Sequence, residues 1–143
     1  ASGFVQPFPA MLIGLCAGVV CYFMVVAVKR RFGYDDSLDA FGVHGAGGTL
    51  GAILTGVFAT RLVNDGLKDA KGNVLPLGLV DGAPGQVGRQ LLACLISWAI
   101  AIVGTLIILK ICDALIGVRV TKDEELEGLD LSQHGEEGYI FEA

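Results

Sequence analysis

Charge is scarce in these 143 residues, where Asp, Glu, Lys and Arg make up 17% against roughly a quarter of an ordinary soluble domain. No Lys or Arg occurs before position 29, which argues against reading the first apolar run as a cleaved export signal, since that needs a basic flank. No basic stripe exists to attract nucleic acid. The sequence has no HExxH, no GxSxG, no P-loop and no pair of carboxylates inside an apolar run, so an enzyme or a carboxylate-driven antiporter is not expected. CxxC is missing too, and Cys16, Cys21, Cys94 and Cys112 lie in or at the ends of apolar segments with no histidine beside them. No metal or cofactor is therefore expected, and the cysteines read as small hydrophobes.

What the chain does have is apolar bulk. Hydrophobic residues make up 53%, and the mean hydropathy is +0.65. Met11–Val28 and Leu91–Leu109 carry no charge, and Ala40–Thr60 carries only His44 as an ionisable group. Each run comes close to or meets the ~20 residues that cross ~30 Å of hydrocarbon as a helix, and none shows the alternating ten-residue pattern of a membrane barrel. The expected fold is all-α, a polytopic membrane protein with helices over about 8–30, 37–61 and 87–117. The 21 glycines sit inside apolar stretches without a fixed period, as helix-packing glycines do rather than those of a linker or collagen.

With three spans, the first loop and the C-terminal tail share a side. Lys29, Arg30, Arg31, Lys110, Arg119 and Lys122 lie on that side, against Arg61, Lys68, Lys71 and Arg89 on the other. The positive-inside rule then makes the tail, 119–143, cytoplasmic and the connection 62–86 external, in a multi-pass protein of the cell membrane. Turn signals at Asn64-Asp-Gly66 and Asp81-Gly-Ala-Pro84 fit that connection. Pro7 and Pro9 precede the first helix, Asp36-Ser-Leu-Asp39 offers carboxylates to start the second near Asp36, and Thr121-x-x-Glu124 has capping-box spacing.

His44 is then eight residues beyond the expected cap, roughly 12 Å into the membrane at 1.5 Å per residue. A titratable ring there normally faces protein or water and marks a solute or proton path; the plainer reading is a neutral imidazole bonded to a backbone carbonyl. Ala40, Gly47, Gly48, Gly51 and Thr55 lie along its face with Phe41. Gly47-x-x-x-Gly51 and Ala52-x-x-x-Gly56 have the small-xxx-small spacing of closely packed membrane helices, and packing also accounts for this face. Trp98 falls in the middle of an apolar run and receives no functional role. The acidic tail, by charge alone, is a solvated face.

Asp35-Asp-Ser-Leu-Asp-Ala-Phe-Gly-Val-His-Gly-Ala-Gly-Gly48 closely resembles the signature of the ammonium transporter (Amt) family. The tail resembles that family's cytoplasmic C-terminal region through Gly117-Val-Arg-Val120, Glu124, Glu127-Gly-Leu-Asp130, His134-Gly-Glu136 and Tyr139. Ala46 and Val118 are mild departures on packing faces. The resemblance implies the last three of eleven membrane helices, followed by the regulatory tail.

It further implies ammonium or ammonia transport, with His44 as the second of two pore histidines sharing a hydrogen bond. Asp39 is implied to be a structural acid near the pore, and Gly128, Asp130, His134, Gly135 and Glu136 to be tail residues. His134 reads as a local hydrogen-bonding residue. The family's assembly is a homotrimer in the lipid bilayer, whose cytoplasmic face a PII-type signalling protein blocks in many bacteria. The first pore histidine, the aromatic gate and the outer recruitment site belong to helices outside this chain, which begins at Ala1; it is expected to be a fragment that does not transport by itself. Two other readings stand beside this one: an ammonium sensor using the same pore and tail, and a packing or oligomerisation segment in which His44 touches no solute.

Overall fold

A computed structural model describes residues 1–136 and 138. Among them the chain is helical, without strands. Three helices are long and apolar enough to cross a membrane: α1 (Pro7–Phe32), α2 (Phe41–Phe58) and α3 (Gly85–Ile116). A short α4 (Lys122–Glu127) follows. The chain divides into two compact units, Ala1–Trp98 and Ala99–Ala143.

In the first unit, Gln6 is extended and Pro7 opens α1, where its missing N–H has no partner to lose and its fixed φ suits the first turn. Gly33 ends the helix at φ 61, with its N–H on the Lys29 carbonyl; a left-handed stop of this kind favours glycine. Neither α1 nor α2 is a uniform α-helix. Met24–Val28 in α1 and Phe41–Ala46 in α2 are wider π-helical turns. Where they meet, a Cβ on buried Gly42 would lie 2.8 Å from Val25 Cγ2 and 3.4 Å from the Val25 nitrogen. The absent side chain is what lets the two backbones approach.

The second helix starts later than the expected 37. Asp39 has φ 55, the lone non-glycine in left-handed conformation among the described residues, and a right-handed helix cannot run through such a residue. Asp36 still serves the helix start from a distance: Ala40 N–H donates to Oδ1 at 2.8 Å, and Phe41 N–H to Oδ2 at 2.9 Å. Two of the N–H groups that a helix start leaves open are thereby satisfied by one carboxylate. His44 consequently stands about four residues into the helix, roughly 6 Å from its start at 1.5 Å per residue rather than 12 Å.

The connection between α2 and α3 has its own small core of Ala59, Thr60 and Leu77. A Cβ on Gly78 would lie 2.5 Å from the Ala59 carbonyl oxygen, so this crossing requires glycine. Asp81 ties the connection together. Its carboxylate accepts from Thr60 Oγ1 at 2.7 Å, Arg61 N–H at 2.6 Å and Leu77 N–H at 3.2 Å. Burial pushes the Asp81 carboxyl up, but these donors and the Arg61 charge together hold it below the usual range. Thr60 N–H also reaches the Phe4 carbonyl at 2.9 Å, pinning the N-terminal segment.

Large side chains along the spans face outward, among them Leu15 at 68% and Ile100 at 68% exposure. Apolar surface on this scale is foreign to a water-soluble fold and suits helices bounded by lipid or by further helices.

Candidate transport site

His44 lies inside the π-helical turn Phe41–Ala46 and its side chain is exposed. A π turn inserts an extra residue into the helix, widens it and redirects the side chains that follow, and such turns recur at functional sites. The sequence pattern offers no sign of it. Around the histidine, Phe41 and Gly45 are in contact: a Cβ on Gly45 would sit 2.9 Å from Phe41 Cδ2. The Phe41 ring meets Tyr34 edge-on at 5.8 Å on one side and Trp98 at 6.0 Å on the other.

The small residues on the histidine's face divide into two sets. Gly47 packs inside this chain, since a Cβ there would be 2.8 Å from Cys21 Sγ, whereas Gly48 and Gly51 have no atom within 4 Å of a Cβ position. Gly56 seats the start of α3, with Gln90 Cγ 2.7 Å from its Cβ position. Thr49 and Thr55 return their hydroxyl protons to the Gly45 and Gly51 carbonyls at 2.7 Å.

Asp39 is not brought to His44 by any described contact. Its carboxylate pairs with Lys29 at 2.6 Å, and Lys29 also donates to the Asp36 carbonyl at 2.6 Å. The end of α1 thus holds the bend that precedes α2, a structural duty. Val25, Val26, Lys29, Arg30, Gly33, Tyr34 and Asp39 surround an open cavity of about 430 Å³ at that bend.

The tail residues fold on one another in the second unit. Thr121 and Glu124 form a reciprocal capping box at the start of α4. Glu124 also accepts from Gln133 Nε2 at 3.2 Å. Donation first from the Thr121 backbone and then from its hydroxyl, with Gln133 adding, holds the Glu124 carboxyl below its ordinary range. At Gly128, φ is 104 and Asp130 Oδ1 would stand 2.8 Å from a Cβ, so both conformation and space demand glycine.

Asp130 accepts Gly138 N–H on its side chain at 3.1 Å, and its own carbonyl takes Glu136 N–H at 3.0 Å. The Gly138 and Leu131 N–H groups, aided by the His134 charge, keep the Asp130 carboxyl low. Gly135 turns the chain at φ 66. Gly128, Asp130, His134, Gly135 and Glu136 therefore belong to one local turn. Tyr139, and Glu137 and Glu142 of the acidic run, lie outside the described residues.

Two contacts were not foreseeable from residue types. Cys21 is not merely a small hydrophobe: its Sγ donates to the Val43 carbonyl in α2 at 3.6 Å. Trp98, given no role above, donates its Nε1–H to Thr49 Oγ1 at 3.0 Å. Both cross between helices, and the spacing of residues within one helix carries no information about the rotation of its neighbour.

The profile of the Ammonium Transporter Family matches residues 1–139. An ammonium transporter of Bacillus subtilis is 42% identical over 139 residues, covering 97% of this chain and 32% of that protein. The ammonium transporter Amt1 of Archaeoglobus fulgidus is 41% identical over 140 residues, covering 97% and 33%. The crystal structure of Saccharomyces cerevisiae Mep2 superimposes with a TM-score of 0.73 at 33% identity, over 86% of this chain and 27% of that one. The chain thus spans about a third of the length of the curated relatives it matches. Helical architecture, three apolar spans and a match running nearly end to end agree: the chain belongs to the ammonium transporter family.

Proposed function

We propose that this chain forms the last three of eleven membrane helices of an ammonium transporter together with its cytoplasmic tail, and that His44 is the second pore histidine. The observation that carries the site assignment is the exposed imidazole on a π-helical turn inside a membrane-length helix. An ionisable ring at that position is costly unless it serves a polar path, and a π turn is a recurrent means of aiming such a residue.

The chemistry follows from desolvation. Stripping water from an ammonium ion is expensive, and stripping it from neutral ammonia far less so. A narrow apolar pore therefore favours passage of the neutral form, provided that the proton has somewhere to go. Imidazole donates through one ring nitrogen and accepts through the other, and it titrates near neutrality when free. His44, hydrogen-bonded to a second histidine from a helix outside this chain, would receive the proton or line its route.

Six basic residues on the side of the tail against four on the other support a cytoplasmic C-terminus. The self-folded turn of Gly128–Glu136 gives the tail a defined surface for a neighbouring subunit of a homotrimer, or for a PII-type protein.

The test compares ammonium and methylammonium uptake by the full-length transporter with uptake by its His44→Ala and His44→Glu versions, at matched amounts in the membrane. Loss of uptake or changed charge per substrate is expected. Unchanged uptake and selectivity would reduce His44 to a packing residue.

A further inference from the structure

The His44 turn is held from one side by α1, and the contacts there are specific. Cys21 and Val25 are four residues apart and so share one face of α1. Opposite them stand Gly42, whose Cβ position is 2.8 Å from Val25 Cγ2, and Gly47, whose Cβ position is 2.8 Å from Cys21 Sγ. Between these two seats, the Val43 carbonyl, next to His44 in the chain, accepts the Cys21 thiol proton at 3.6 Å. A π turn moves backbone hydrogen bonds from the fourth to the fifth residue and so disturbs the carbonyl ladder of the helix. A donor from a neighbouring helix at such a carbonyl favours the widened register over the regular one.

We propose that Cys21 is a positioning residue for His44: its thiol, bonded to Val43, and the close seats at Gly42 and Gly47 keep the turn Phe41–Ala46 in the register that aims the imidazole. This rests on the reading of His44 as a pore residue. Cys21 acts through the backbone beside the ring. Its four-residue partner Val25 supplies the steric half of the same clamp, because an added methyl at Gly42 meets Val25 before it meets anything else.

The experiment uses the full-length transporter and reads two quantities at matched membrane amounts: the charge moved per methylammonium taken up, and the KM against the maximal rate. Cys21→Val keeps the volume and removes the donor; Cys21→Ser keeps a donor. Misplacing a reacting group by about 1 Å can cost about a hundredfold, so even a partial relaxation in Cys21→Val should change the charge ratio or KM by at least about twofold. Cys21→Ser should recover most of it.

A merely structural cysteine would lower the amount of protein and leave both quantities alone, and that result overturns the inference, as does a Cys21→Ser version no better than Cys21→Val. His44→Ala is run beside them. If it leaves both uptake and the charge ratio unmoved, the pore reading has failed; if it lowers uptake or moves the ratio while Cys21→Val leaves the charge ratio and KM alone, only the positioning role has failed. Should Cys21→Val not fold, the S–H stretching band is measured in a Cys16→Ala, Cys94→Ala, Cys112→Ala background. A band at the hydrogen-bonded position supports the contact, and a free-thiol band overturns it.

Discussion

Lys29 Nζ lies 2.6 Å from Asp39 Oδ1, and Asp39 is held at φ 55, immediately before the helix that carries His44. One residue thus serves two ends: a left-handed backbone that stops the bend and a carboxylate that anchors it to α1. Asn tolerates the left-handed region and Ala does not. Asp39→Asn should lose only the ion pair, whereas Asp39→Ala should lose about 1 kcal/mol more from the backbone. Thermal unfolding of the full-length protein in detergent checks the order; equal midpoints for the two variants would show that the left-handed backbone contributes nothing.

Gly42 lies where the two π-helical turns meet, with Val25 and Met24 around its Cβ position. Gly42→Ala should destabilise by about 1–3 kcal/mol, as overpacking does, because Val25 Cγ2 stands 2.8 Å from the new methyl. The nearest atom belongs to a side chain, so Val25→Ala should relieve most of that loss when the two changes are combined. Unfolding midpoints of the two single variants and the double variant measure this coupling directly. Purely additive losses would mean that the clash lies with the Val25 backbone instead.

The tail should loosen in acid. Glu124 and Asp130 both titrate below their ordinary range when the tail is folded, so protonation favours the unfolded tail. Their contribution is fully present above the ordinary carboxylate pKa of about 4, and is lost as pH falls through the lower folded values. Amide hydrogen exchange across 121–136 in the full-length protein should show protection that is flat near neutrality and falls below that pH. Glu124→Gln keeps the acceptor oxygen but not the charge, and should flatten the part of the profile due to Glu124. A profile unchanged by it would assign the acid sensitivity elsewhere.

How much of this was legible beforehand depended on whether a feature lives within one helix or between two. The three spans follow from uncharged length alone, and the capping role of Thr121 follows from the three-residue spacing to Glu124. The start of α2 did not: Asp36 and Asp39 are equally good capping residues by type, and only the left-handed Asp39 decides that the helix begins after it. The π turns were invisible because their hydrophobic pattern over five or six residues cannot be told from that of an α-helix. His44 stands out as the one ionisable group between Ala40 and Thr60, a signal that needs no geometry. Cys21 and Trp98 carry no comparable signal, since a thiol or an indole in an apolar run acquires a polar role only from the backbone or hydroxyl that another helix puts in front of it.

Trp98 offers the clearest measurement of such an inter-helix contact. Its Nε1–H donates to Thr49 Oγ1 at 3.0 Å, Thr49 donates on to the Gly45 carbonyl at 2.7 Å, and the ring packs against Phe41. Trp98→Phe keeps an aromatic ring and removes the donor, while Thr49→Val removes the acceptor and the onward link. Side-chain hydrogen bonds between membrane helices contribute about 0.6 kcal/mol on average and at most about 1.7. The coupling between Trp98→Phe and Thr49→Val should fall in that range, and Trp98→Ala should cost more than Trp98→Phe because the contact with Phe41 goes as well. Because the chain of donors ends on Gly45, within the His44 turn, Trp98→Phe should also disturb uptake more than its small effect on stability suggests. Native uptake in Trp98→Phe, with a coupling near zero, would leave Trp98 as aromatic packing alone.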